Sequence, residues 1–301
     1  MGEIAALVTA FCWTLSSIFF SKAGQSIGAI NTNRLRLVFA AIFLLLTHQL
    51  MQGSLLPLNA GSERWLWLGI SGIVGLVLGD AFLFQAYIYI GARISTLIMA
   101  VVPVISAFLA WIFLGESLTP IEIGGIVLAV AGVIMVVLER SNGNEAHIDR
   151  RRYVIGLLCA FGGALGQAGG LILAKKGLAG DFPSISAVVI RMTVAVVVLW
   201  LITLFTGQAR STLTTTISQP RTLQVVVYGS IVGPFIGVWL SQVAIQKTAI
   251  GLASTLMALT PIMLLPFVKW VFKEEVSFRA VAGTCLAIAG VAVIFLAPVT
   301  G

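Results

Sequence analysis

Charge is scarce in this sequence. Only 10% of its 301 residues are Asp, Glu, Lys or Arg, against about 25% in ordinary globular chains. That excludes a domain with a conventional solvated surface, and 59% hydrophobic residues place the chain in the membrane class. Acids are scarcest, 11 against 18 Lys and Arg, for a net charge of +7. No polar domain is large enough to present a basic face, so the surplus does not point to nucleic acid. Lys and Arg stand mostly at the ends of apolar runs, where they anchor helices at the membrane interface. Cys12, Cys159 and Cys285 each lie inside an apolar run without CxxC or His-rich spacing, which argues against a disulfide framework or a metal site. No cofactor is expected. Despite 31 glycines there is no Walker-type loop, so nothing supports nucleotide-driven work by this chain. The first apolar run, Ile4 to Phe20, has no basic leader and no cleavage site, so it is expected to stay as a helix.

What the chain has in abundance is long apolar runs. Crossing a hydrocarbon core about 30 Å thick takes roughly 20 helical residues. Ten stretches qualify: about 3–21, 33–51, 65–89, 93–114, 120–138, 153–174, 185–206, 223–246, 250–272 and 278–297. None shows the two-residue alternation of a membrane β-barrel. The fold class read from this is an all-α polytopic membrane protein, because a helix satisfies its own backbone polar groups where water is absent. Connections are short. The longest are 52–64, 207–222 and the polar stretch Glu139–Arg152.

That polar stretch divides two similar halves. At an offset of 158 (261 − 103), Pro103 meets Pro261, and Gly75, Gly79, Met99, Glu116, Gly125 and Gly132 meet Gly233, Gly237, Met257, Glu274, Gly283 and Gly290. Slightly different offsets bring Arg36 onto Arg191 and Ala10-Phe11 onto Ala160-Phe161. A gapless register over three helices is a repeat signal. Five helices per unit is odd, so the second unit enters from the opposite side, giving two inverted five-helix repeats as in many secondary transporters. The expected organisation is 1–138 as the first repeat, 139–152 as the linker and 153–301 as the second.

The chemistry centres on Asp80, an acid in the middle of an apolar run. A central carboxylate is unfavourable by roughly 2.5–3.5 kcal/mol on insertion scales, so such residues face a cavity or a partner and mark a pathway. Three roles stand open: proton carrier, counter-charge for a cationic substrate group, or structural acid bonded to a neighbouring helix. The second half has Val238 at this position, followed by Trp239 and then Gln242. Trp13 and Gln167 lie deep in their own runs, and such a set suits a small organic molecule with apolar and polar parts. Pro103 and Pro261 are hinge or gate candidates, since proline interrupts a helix and frees a carbonyl. Glu116 and Glu274 end their helices either as caps of the next helix or as gate ion pairs. Arg36 and Arg191 are read as snorkelling to the head groups, and the Gly-xxx-Gly series as helix packing. An intramembrane aspartyl protease would need a second acid to share a proton. Asp149 and Asp181 lie in loops, so an enzyme is not expected.

The segments Arg36-Leu-Val-Phe-Ala40 and GDAFLFQAYIYIGARISTLIMAVVPVISAFLAWIFLGESLTPIEIGGIVLAVAGV, with the echo PIMLLPFVKWVFKEEVSFRAVAGTCLAIAGV, resemble the drug/metabolite transporter superfamily, in its EamA-type ten-helix group. The resemblance covers about residues 3–297. It implies two inverted repeats around a central cavity, with Trp13, Asp80, Met99, Gln167, Trp239, Gln242 and Met257 on the helices that form it. The resemblance implies transport of an amino acid, other metabolite or drug, and the function expected is secondary transport of such a solute by alternating access, as an exporter, with proton coupling through Asp80 as one of its three open roles. A lipid flippase on the same fold and a non-transporting scaffold are the alternatives. The expected setting is the cytoplasmic membrane of a bacterium or archaeon, as a monomer or weak homodimer, with the bilayer, a small molecule and protons as partners.

Overall fold

The computed structural model describes residues 2–114, 119–138, 149–180, 182–247, 256–272 and 276–296. Among them there are helices and connections and no strands. In chain order the helices are α1 (Gly2–Ile27), α2 (Ala29–Gln52), α3 (Ser62–Gly72), α4 (Asp80–Met99), α5 (Val102–Leu114), α6 (Pro120–Leu138) and α7 (Arg150–Gly177). Next come α8 (Ser184–Phe205), α9 (Ala209–Ser218), α10 (Pro220–Ser230), α11 (Val238–Lys247), α12 (Thr260–Phe267) and α13 (Phe278–Leu296). Six helical stretches among the described residues are long and apolar enough to cross a membrane, and α6, α12 and α13 carry shorter apolar runs. Large apolar side chains such as Leu46, Phe82, Leu158 and Phe205 face outward, as expected where the solvent is lipid.

Two turns are made by glycine. Gly28 (φ +85°) reverses the chain between α1 and α2 in one residue, and Gly91 (φ +75°, ψ 170°) breaks α4 so that its two parts do not share an axis. This second break falls in the gap between the expected spans 65–89 and 93–114. The expected start of the second span, at 33, falls late, because α2 begins at Ala29, while the seventh, expected at 185, begins within one residue of that at Ser184. The 207–222 connection, read as a loop, contains α9. Its hydroxyls fold back on their own helix, Thr212 Oγ1 to Gln208 O at 2.9 Å and Thr216 Oγ1 to Thr212 O at 2.6 Å. Arg34 then ties it to α2 through Thr212 Oγ1 (2.8 Å) and Gln208 Oε1 (2.7 Å).

Structural detail recurs at the 158-residue offset. Ile73–Gly79 and Ile231–Gly237 are both π-helical, a rare wide turn common at functional sites. They lead directly into Asp80 and Val238. A Cβ on Gly132 would meet the backbone of Gly283 and Ala287, and one on Gly290 would meet the backbone of Gly125 and Ala129. The α6–α13 contact is therefore reciprocal under the offset, as a two-fold relation between the halves demands. Absent side chains let these backbones touch.

Candidate functional site

The π-helical run before Asp80 packs glycine to glycine against α7. A Cβ on Gly79 would lie 3.2 Å from Gly166 Cα, and one on Gly170 would lie 3.1 Å from Gly75 Cα. This contact draws Gln167 on α7 to Asp80, and Gln167 Nε2 donates to Asp80 Oδ1 at 2.9 Å. From α2, the Arg36 guanidinium forms an ion pair and hydrogen bond with Asp80 Oδ2. Arg36 Nε donates to Asn33 Oδ1 at 2.9 Å, and Asn33 Nδ2 donates to Leu76 O at 3.3 Å on the π-helical run. Arg36 Cζ sits 4.8 Å from the Phe84 ring and 5.6 Å from the Phe20 ring, close enough for cation–π attraction. Asp80 is 4% exposed and Arg36 5%, so this is a desolvated charged network.

The network forms part of the wall of a cavity of about 230 Å³. Trp13, Asp80, Met99, Gln167, Gln242 and Met257 all line it, as do Pro103 and Pro261. Trp239 does not. Its indole stacks on Phe235 with centroids 6.3 Å apart and packs on the cluster around Leu37 and Val188. Val238 faces the cavity instead. Trp13 lies across Gly237, with Nε1 3.1 Å from where a Cβ on that glycine would stand. Both prolines are the second residues of their helices, and the chain turns just before each, at Ala100–Val101 and Ala258–Leu259. Pro103 and Pro261 thus open new helical segments where a missing N–H is tolerated, in place of bending a continuous helix. Glu116 and Glu274 lie outside the described residues.

Arg36 and Arg191 do not snorkel. Each is the eighth residue of its helix, about 10 Å in at 1.5 Å per residue. Arg191 is 4% exposed, and both line the cavity. Asp80 lies within electrostatic reach of both. Reading their depth from the start of the helix, two turns in, is the signal that would have found them in the sequence. Ser16, Tyr87, Thr96, Ser241 and Thr260 complete the polar part of the wall, with no spacing that singles them out.

The described residues contain no cluster of His, Cys, Asp and Glu that could hold a metal ion. The arrangement can bind, orient and exchange charge around a small solute.

Comparison with known proteins gives a consistent picture. The EamA-like transporter family matches residues 1–138 and 154–296. The threonine/homoserine exporter RhtA of Escherichia coli (strain K12) is 28% identical over 156 residues, 49% of this chain and 50% of that protein. The uncharacterized transporter YvbV of Bacillus subtilis (strain 168) is 29% identical over 114 residues, 38% of this chain and 35% of that one. The chain thus matches about half the length, or less, of these curated relatives. One solved crystal structure of a protein matches 98% of this chain and 96% of its own, with TM-score 0.65 and 16% identity, a likeness of fold alone.

Proposed function

This chain belongs to the EamA-like transporter family, and from that premise we propose that it is a secondary transporter that exports a small polar metabolite by alternating access, proton-coupled through Asp80. The observation that carries the reading is the buried Asp80 network beside a cavity lined by both halves. At about 230 Å³ the cavity falls below the roughly 300–1,000 Å³ typical of drug-sized ligands. That favours a solute of amino-acid size over a bulky drug or a lipid head group. The relative RhtA, a threonine/homoserine exporter by name, agrees in size class. The relatives are bacterial, which supports a bacterial cytoplasmic membrane.

In this reading the Arg36–Asp80 pair lies within the first half, while the Gln167–Asp80 bond joins the first half to the second. A proton taken up by Asp80 cancels the charge that holds Arg36 and changes what Gln167 can bond. The two halves are then free to rock about the glycine-lined contacts. One leg of the cycle carries substrate with Asp80 ionised, and the return leg carries the proton on Asp80.

The test is transport in proteoliposomes under an imposed pH gradient, with radiolabelled L-threonine and a panel of other amino acids. Wild type should move at least one of them faster with the gradient than without it. Asp80→Asn should retain exchange but lose the response to the gradient. An Asn variant with unchanged pH dependence refutes the coupling role. Movement of a labelled lipid and of no metabolite favours a flippase.

A further inference from the structure

Arg36 and Arg191 are repeat partners, at an offset of 155 (191 − 36), and both are buried in the cavity wall. Arg36 is fully engaged by Asp80, Asn33, Phe84 and Phe20. The second half supplies none of these partners. At the offsets of their own helices, Asp80 becomes Val238, Asn33 becomes Val188, Phe84 becomes Gln242 and Phe20 becomes Gly170. The two rings that flank Arg36 are thus answered by an amide and by no side chain at all. The Arg191 guanidinium has no hydrogen bond or ion pair among the described residues, and its Nε is buried without an acceptor. Its Nη2 lies beside Gly75, 3.5 Å from where a Cβ on that glycine would stand.

A guanidinium removed from water without an acceptor is costly, and it is held here against a cavity. The charged side chains on the wall, among the described residues, are Arg36, Asp80 and Arg191. With Asp80 ionised they sum to one positive charge, which a monoanion neutralises and a dianion overshoots. We propose that Arg191 binds the carboxylate of the transported metabolite, so that the substrate supplies the acid the second half lacks. The planar fork of an arginine matches a carboxylate with two parallel hydrogen bonds. The apolar remainder of the solute would rest on Trp13, Met99 and Met257, which share the cavity. This assignment rests on the transport reading and narrows it to carboxylate-bearing solutes.

The experiment is thermal unfolding of the purified protein in detergent, with the L-amino acids and the aliphatic acids acetate to hexanoate, each beside its carboxamide. Inorganic phosphate serves as a second oxyanion. At least one carboxylate should raise the midpoint of wild type, while its carboxamide and phosphate do not. Arg191→Gln should abolish that shift, and Arg191→Lys, which keeps the charge without the fork, should weaken apparent affinity about tenfold. Without ligand, Arg191→Gln should melt at or above wild type, because an unpaired buried charge has been removed. An arginine that merely holds the fold would lower it.

The proposal is overturned by any of four results: no carboxylate shifts wild type, a carboxamide or phosphate matches the best acid, Arg191→Gln keeps the shift, or Arg191→Gln melts well below wild type. Binding in detergent needs neither gradient nor vesicle. Carboxylate protection without transport in liposomes would sink the transport reading and leave this site standing. Transport indifferent to Arg191→Gln would do the reverse.

Discussion

Replacing Asp80 with Ala removes the carboxylate paired with Arg36 and the acceptor of the Gln167 amide in one step. Arg36 would keep Asn33 Oδ1 at 2.9 Å and the faces of Phe84 and Phe20, but it would stay buried without a counter-charge. Breaking a buried ion pair from one side costs roughly 3–5 kcal/mol, mostly through the stranded charge. The surviving contacts on Arg36 put the expectation near the lower end, at about 3 kcal/mol, or a factor of roughly 150 in the folding equilibrium. Arg36→Met alone leaves Asp80 with the Gln167 bond and the unbonded Arg191 charge within reach, and a loss of similar order, about 3 kcal/mol, is expected. The double variant Arg36→Met/Asp80→Val leaves neither charge of the pair stranded, frees only the neutral Gln167 Nε2 and Asn33 Oδ1, and copies, at position 80, the valine found at 238. It should recover most of the loss, since replacing a whole buried pair by apolar groups is often close to neutral. The assay is reversible unfolding of ligand-free protein by SDS in mixed micelles, followed by far-UV circular dichroism. A double-mutant cycle with Asp80→Val as the second single variant should return a coupling of about 5 kcal/mol, because two losses of about 3 kcal/mol each would shrink to about 1 kcal/mol in the double variant. If the double variant is as unstable as the two single losses added together, the two side chains are not coupled and the reasoning fails.

Gly132→Ala should loosen the α6–α13 contact and lower stability by about 1–3 kcal/mol, because the added methyl would stand 2.8 Å from Ala287 Cα. Gly124→Ala, with nothing within 4 Å, should be neutral or slightly stabilising in the same SDS titration. Equal losses at the two sites would show that the contact is not tight. Gly91→Ala should cost about 1–3 kcal/mol purely through its backbone angles (φ +75°, ψ 170°), since the methyl itself would meet no neighbour. An unchanged SDS midpoint would mean that α4 does not need this break.

Much of this architecture could be read directly along the chain. Hydropathy and run length gave the helical membrane class, and the gap between the runs 65–89 and 93–114 marked the break at Gly91. The repeat register aligned two π-helical runs that no local property announces. These features are legible because span length, a glycine-only backbone angle and an offset between similar segments are properties of the chain itself. The polar network was not legible. Asp80 stood out as costly, but its partner Arg36 lies 44 residues away and looked like an interfacial anchor.

Which side of a helix faces the cavity is settled by its neighbours. One residue along a helix turns the side chain by about 100°. Trp239 therefore packs outward on Phe235 while Val238 takes the wall, although the two positions read almost alike in sequence. The sequence by itself determined that the chain crosses a membrane as paired helical halves and that the acid lies in only one of them. The tertiary structure alone decided that this acid is neutralised by Arg36 and that the equivalent arginine, Arg191, lines the cavity without a hydrogen bond or ion pair among the described residues. Helix rotation and close glycine contacts bring those groups together from distant segments, and a linear pattern does not encode that rotation.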